Sequence, residues 1–433
     1  MFRHGLKSVA ACAVALAFSG IVQAQDSEVT QLRRELRELQ ERMQALEKRL
    51  QEAESHPAAS AAPPSQSSGL AAFNPAISAI LAGSYNNFSQ DPDLYRLSGF
   101  PLASDVGPGR RGFSLGESEL TFSANVDHKF AGVLTFSMNA DNQVEVEEAF
   151  GTFNGAPFGI VPKFGRFLSA AGYLNEQHAH TWDFADTPLA YQAFLGGQYR
   201  TDGVQARWVA PTEHYVELGA ELGNGAAFPG TPRNKNGVGS TVLFARTGGD
   251  VGESHNWLAG LSFLDTRAEE RPDTIVGALG DDMPASFTGK SRTLGAQFVW
   301  KYAPNGNPTR TNLKLQGEYF WRKESGDLMA VGVPIEGDPN AGPFSARQSG
   351  GYVQGVYQFV PMWRAGLRYD RLDAGDRSAF NPQRATAMID WSPSEFSRVR
   401  LQFARARLAP DLTDNEFFVQ YILSLGAHGA HKY

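Results

Sequence analysis

Residues 175–186 read NEQHAHTWDFAD, which brings Glu176, His178, His180, Asp183 and Asp186 into one short segment. His178 and His180 are two apart, so in extended backbone they share a face and, with a carboxylate as third ligand, could chelate zinc or copper. The same residues can equally hydrogen-bond a segment to a surrounding wall, with the histidines adding sensitivity to pH. The pair by itself does not choose between these readings, because no third ligand is defined by spacing. Hydrolytic chemistry finds no support: no Ser/His/Asp arrangement can be assigned from spacing, and no His-x-x-x-His with an intervening glutamate is present. No enzyme, no catalytic residues and no cofactor are expected.

What holds the segment in place follows from the pattern around it. From about Asn74 onward the chain alternates apolar and polar residues with period two, broken by Gly, Pro, Asn and Asp. Val204, Ala206 and Trp208 oppose Gln205 and Arg207; Leu294, Ala296, Phe298 and Trp300 oppose Thr293, Gln297 and Lys301; Val399, Leu401 and Phe403 oppose Arg398, Arg400 and Gln402. About sixteen such runs begin near residues 76, 115, 130, 144, 160, 200, 214, 239, 255, 290, 311, 349, 363, 383, 396 and 415, each long enough to span a bilayer as a tilted strand. Connections after odd-numbered runs tend to be long, the third excepted, and those after even-numbered runs are mostly tight. Trp208, Trp300, Tyr302, Tyr319, Trp321 and Trp391 stand near strand ends, where an interfacial girdle requires them. These features predict an all-β fold: an antiparallel transmembrane β-barrel of about sixteen strands over residues 74–433, wide enough for a water-filled lumen.

The N-terminus places the barrel. Arg3 and Lys7 precede an apolar run and Val22-Gln23-Ala24, the pattern of a secretory signal peptide over residues 1–24. Cys12 is the only cysteine, so the exported chain has neither disulfides nor thiolate ligands. Loss of Arg3 and Lys7 leaves 37 basic against 46 acidic residues, a balance that argues against a nucleic-acid partner. Mean hydropathy is −0.32, and no later stretch approaches the roughly 20 apolar residues of a spanning helix. Within residues 25–55, Val29, Leu32, Leu36, Leu39, Met43, Leu46 and Leu50 form an unbroken heptad seam, predicting a periplasmic α-helical coiled coil between chains. A Pro/Ala/Ser-rich linker follows over residues 56–73.

Polar faces early in the barrel carry Glu117, Glu119, Glu145, Glu147 and Glu148, and late ones carry Arg364, Arg368, Arg398 and Arg400, which would set a field across the channel. The signal peptide, coiled coil, linker and barrel, together with GESELTFSANVD (116–127), KFGRF (163–167) and FFVQYILSLGAHGAHKY (417–433), resemble trimeric outer-membrane porins, most of all the phosphate-selective (O and P type) superfamily. The resemblance implies a homotrimer in outer-membrane lipid that passes small hydrophilic solutes or ions. Phosphate selectivity does not carry over, since the basic residues do not align with that superfamily's ladder. In general porins the third external loop folds inward, which by resemblance makes residues 169–199 the constriction. Glu117, Glu119, Glu176, His178, His180, Asp183, Asp186, Arg207, Arg364, Arg368, Arg398 and Arg400 are then the expected pore-lining set. Tyr173, Leu174, Trp182, Phe184, Leu189, Tyr191, Phe194 and Leu195 would pack on the wall while the charged loop residues face water. His178 and His180 are the candidate metal ligands. The alternatives are a metal-ion or specific-solute uptake channel, or a structural barrel that engages the cell wall through its coiled coil.

Overall fold

The computed structural model describes residues 75–276, 282–331 and 342–426. The expected signal peptide, coiled coil, linker and the tail histidines His428 and His431 lie outside the described residues.

The chain forms a meander of antiparallel strands. The first half comprises β1 (Ala76–Phe88), β2 (Gly112–Leu115), β3 (Ser118–Asn125), β4 (Phe130–Met138), β5 (Val144–Phe153), β6 (Ile160–Leu168), β7 (Arg200–Val209), β8 (Tyr215–Gly223) and β9 (Ser240–Val251). The second comprises β10 (His255–Val276), β11 (Asp282–Tyr302), β12 (Asn312–Ala330), β13 (Gly342–Val360), β14 (Trp363–Asp373), β15 (Gln383–Ser394), β16 (Ser397–Ala409) and β17 (Leu412–Gly426). Strands pair with their neighbours in sequence, and β17 returns to pair with β1 from Ser78↔Gly426 to Phe88↔Glu416, which closes the barrel. Both β2 and β3 lie against β1, so they are one spanning strand interrupted at Gly116 and Glu117, and the seventeen segments make sixteen spanning strands. Closure leaves no unpaired edge, which a β-structure in lipid requires.

Most strands begin within a few residues of their sequence-predicted starts. β11 and β13 begin earlier, at 282 and 342. The connections expected to be long after the ninth and fifteenth strands are short, at 277–281 and 410–411, because the ladder continues into them. β10 and β11 run 22 and 21 residues, and Arg271 through Val276 still pair with Phe287 through Asp282. Apolar alternation marks a strand only where one face meets lipid. Above that level the outward face is polar, as at Arg267, Thr274, Thr288 and Lys290, while Ala268, Ala285, Phe287 and Leu328 pack inward, so pairing persists without the outward apolar pattern.

The alternation sets inside from outside as expected. Gln297, Gln316, Gln402 and Arg400 are buried toward the interior, and Leu294, Phe298, Trp321 and Leu401 are exposed on the outer wall. Outward rings group in two belts. At one end His255 stacks on Trp300 at 5.4 Å and on Tyr302 at 4.9 Å, and Trp363 stacks on Trp391 at 6.1 Å between centroids; Tyr319 and Trp321 sit together at 4.7 Å further along β12.

The interior differs from a water-filled lumen. A buried apolar cluster fills part of it: Leu97 and Phe100 from the first long connection, Leu174, Leu189, Tyr191, Phe194 and Leu195 from 169–199, and Val242, Phe320, Tyr352, Leu372 and Leu408 from the wall. A sixteen-stranded wall encloses enough volume for water. Here the barrel's own loop occupies that volume at this level.

Candidate functional site: the inward segment 169–199

The segment leaves β6 and returns to β7 through short 3-10 turns at Leu174–Glu176 and Ala179–Thr181 and a short helix of about two turns, α1 (Leu189–Leu195). Every residue of α1 is buried, and Gly196 closes it in the left-handed conformation (φ 62°) that favours glycine. Tyr191 meets Phe320 edge-on at 5.5 Å, and Phe194 meets Phe100 at 5.7 Å.

Polar anchors repeat around the wall. On β8, Glu221 accepts from Ser169 Oγ (2.6 Å) and the Ala170 amide (2.8 Å). On β12, Glu318 accepts from the amides of Tyr173 (2.7 Å) and Leu174 (3.1 Å) and from the Tyr191 hydroxyl (2.9 Å). Gly172 makes that seat possible: its φ is +122°, and a Cβ there would stand 2.5 Å from Tyr191 Oη and 3.0 Å from Glu318 Oε2. Gly172→Ala is therefore expected to unseat the Glu318 anchor at a cost of about 2 kcal/mol, from backbone strain plus weakened buried hydrogen bonds. Denaturant unfolding in detergent against the parent chain measures it.

The charged residues of the segment each meet partners on the wall. Glu176 pairs with Arg207 of β7 and with Arg246 of β9 (2.5 Å), both of which also approach Glu217 at 3.3 Å. Asp183 receives Lys314 Nζ (2.9 Å), Gln354 Nε2 (3.1 Å) and Arg364 Nη1 (3.2 Å). Asp186 receives Arg368 (2.8 Å), Arg384 (2.6 Å) and Gln402 (2.5 Å). Arg398 and Arg400 both donate to the Trp182 carbonyl, at 3.2 and 2.7 Å. Burial alone would raise the carboxyls of Asp183 and Asp186; the facing cations, Lys314 and Arg364 for the first and Arg368 and Arg384 for the second, outweigh it and hold both below the usual range.

His178 and His180 meet the acidic side. His178 Nδ1 lies 3.1 Å from Glu119 and 3.2 Å from Glu147, its Nε2 lies 3.1 Å from Glu148, and His180 Nδ1 lies 2.8 Å from Glu119. Burial would lower the His178 imidazole, but its bonds to Glu119, Glu147 and Glu148 prevail and hold it well above the usual histidine range.

The structure thus brings eleven of the twelve expected residues into contact between segment and wall, counting Glu119, Arg207, Arg364, Arg368, Arg398 and Arg400 on the wall side. Glu117, exposed at the break between β2 and β3, neighbours the cluster of Glu119, Glu147 and His178. Three expectations change. The charged loop residues do not face open water; Asp183 is only 6 % exposed, because charges placed against a wall of opposite sign lose less by pairing than by remaining unpaired in a filled interior. The two histidines are brought together by a turn, not by extended backbone, with ring centroids 5.7 Å apart. Segregation of charge by sign is incomplete, since Asp370, Asp390, Asp414 and Glu416 share the late wall with the arginines, and Arg364 pairs with Asp390 at 2.6 Å.

Sequence reasoning missed Glu221, Glu318, Lys314, Arg246, Asp370 and Arg384 as anchors. All stand on inward faces of alternating strands, so the alternation marks them as lumenal. Nothing in it says which heights the segment reaches. Below the segment, Glu176, Arg207, Glu217 and Arg246 roof a cavity of about 480 Å³ that Tyr215, Asp250 and Asn256, at the tight-turn end of the barrel, also line.

A closed sixteen-stranded antiparallel barrel is a fold with counterparts among solved structures. The loop L8 deletion mutant of OmpT, an outer membrane protein of Vibrio cholerae, superposes with a TM-score of 0.51 at 13 % identity, covering 81 % of this chain and 99 % of that one. The in-vitro folded trimer form of OmpT gives 0.50 at 12 % identity, with the same coverage. At these identities the likeness is one of fold. No family model matches the chain. In sequence the chain is 32 % identical over 353 residues to an uncharacterized protein of Aquifex aeolicus, covering 75 % of this chain and 71 % of the relative, and it belongs to the same family as that protein.

Proposed function

We propose that this protein is an outer-membrane channel of the porin type, carrying small hydrophilic solutes or ions, whose passage the segment 169–199 narrows. The observation that carries the reading is the closed barrel that is apolar outside and charged inside, with the segment tied to β3 and β5, to β7 through β9 and to β12 through β16. An enzyme would need reacting groups left accessible. Here the polar groups are engaged in holding a loop, which is what a gate or constriction requires. The signal peptide, the coiled-coil seam from Val29 to Leu50 and the trimer state of the structural counterpart support a homotrimer in outer-membrane lipid with its N-terminal helices in the periplasm. The likeness of 116–127, 163–167 and 417–433 to phosphate-selective porins supports kinship with that superfamily, and the carboxylates of β3 and β5 argue against a shared anion preference.

Reconstitution of the full chain in planar bilayers tests this. Small, ohmic, long-lived conductance steps with selectivity altered by Arg398→Glu/Arg400→Glu are expected. Bilayers that stay silent with both the parent chain and a chain lacking the segment would refute a channel.

A further inference from the structure

Two adjacent carboxylates on one strand cannot ordinarily face the same side, because side chains alternate. Glu147 and Glu148 do so here. In the β4–β5 ladder Thr135 faces Glu148 and Phe136 faces Val146, so Glu147 is the extra residue of a β-bulge, and both glutamates are buried toward the interior. A bulge disrupts pairing to re-aim a side chain, and such features gather at functional positions. What it is aimed at is the His178 ring, with Glu119 arriving from β3 on the other side.

We propose that Glu119, His178 and His180, completed by Glu147 or Glu148, form a binding site for a divalent transition-metal ion, with Zn2+ the best match to the ligand set. One ligand atom from each of Glu119, His178 and His180 already lies within 4.8 Å of the others. In a tetrahedral zinc site with bonds of about 2.0–2.1 Å, ligand atoms stand roughly 3.3 Å apart. His178 Nδ1 stands 3.1 Å from Glu119 Oε2 and His180 Nδ1 stands 2.8 Å from Glu119 Oε1, so the two ring nitrogens flank one carboxylate, and a shift of the rings toward each other would bring both onto an ion held by that carboxylate. Two imidazoles with carboxylates suit zinc and its first-row neighbours, while Mg2+ and Ca2+ demand oxygen shells that two ring nitrogens do not supply. His178 remains 23 % exposed, which leaves a route for the ion to enter. The three carboxylates against two imidazoles also leave the pocket with surplus negative charge, which a dication offsets. A bound ion would bridge the segment to β3 and β5.

The test is calorimetric titration of the folded full chain in detergent with Zn2+, in buffer stripped of transition metals, with millimolar Mg2+ present throughout. One saturable Zn2+ per chain is expected, with affinity falling at least tenfold in Glu119→Gln and saturable binding lost in His178→Ala/His180→Ala. Co2+ titrated into the unsubstituted chain should give the intense visible absorption of a tetrahedral site, and Zn2+ should bleach it. This second readout stands even where a variant fails to fold. Absence of saturable Zn2+ binding in the parent chain, equal heats in the double variant, or displacement of Zn2+ by Mg2+ would each overturn the proposal. None of these outcomes depends on whether the barrel conducts.

Discussion

Replacing residues 174–195 by a glycine-serine linker of the same length is expected to raise single-channel conductance by about tenfold or more, because a sixteen-stranded barrel without an internal plug leaves an aqueous channel. The barrel should survive the change. Its wall is held by a continuous ladder that closes from β17 to β1 and does not pass through the segment. What is lost is the apolar filling by Leu189, Tyr191, Phe194 and Leu195, together with the acids that satisfy Lys314, Arg364, Arg368 and Arg384. With the acids gone, those four cations line open water, so the enlarged pore should also shift toward anions. The linker keeps the chain length and the covalent tether while removing the side chains and the fold that fill the lumen, so it separates plugging from tethering. Unchanged conductance in planar bilayers would mean that the segment does not limit passage.

The sequence made some of this arrangement legible and concealed the rest for definite reasons. Strand positions were readable because lipid on one face and polar groups on the other impose period two on residues such as Val204 to Trp208 and Leu294 to Trp300. Placement of 169–199 after the fifth strand followed from counting those strands, and its aromatic content agreed with burial. Partners were not readable. Glu176 meets Arg246 across 70 residues of chain, and Asp186 meets Gln402 across 216, and such pairings depend on how high on the wall each loop atom comes to rest. The bulge at Glu147 was hidden for a related reason. A run of Val-Glu-Val-Glu-Glu is compatible with either glutamate facing inward, and only the partner strand reveals that both do. The extensions of β10 through β13 escaped because pairing above the lipid carries no outward apolar face, and their apolar residues, such as Phe287 and Leu328, turn inward instead.

Substituting Asp183→Asn and Asp186→Asn together is expected to release the segment without removing it. Asp183 faces Lys314 from β12, Gln354 from β13 and Arg364 from β14, with Arg398 of β16 acting at longer range. Asp186 faces Arg368 from β14, Arg384 from β15 and Gln402 from β16, with Asp370 and Glu416 beyond the arginines. An asparagine keeps the shape and removes the charge, leaving Lys314 and Arg384 with their closest counter-charge gone. Losing one partner of a buried pair costs about 3–5 kcal/mol, much of it from the charge left behind. Arg364 and Arg368 keep Asp390 and Asp370, so the wall itself should hold while the loop loosens. Chymotrypsin should then cut near Tyr191 and Phe194, which are buried in the parent chain, and the conductance should flicker to a larger level. The same carboxylates fix the response to acid. Their folded-state values lie below the ordinary aspartate value of about 3.9, so their contribution is fully present above that value and is lost only as pH falls through the lower, folded one. Through these two residues the parent channel should keep its small conductance from pH 7 down to about 5 and open only below the ordinary carboxylate range. The double variant should show no such acid transition, having its open level already at pH 7; an identical acid opening in both proteins would place the latch on other residues.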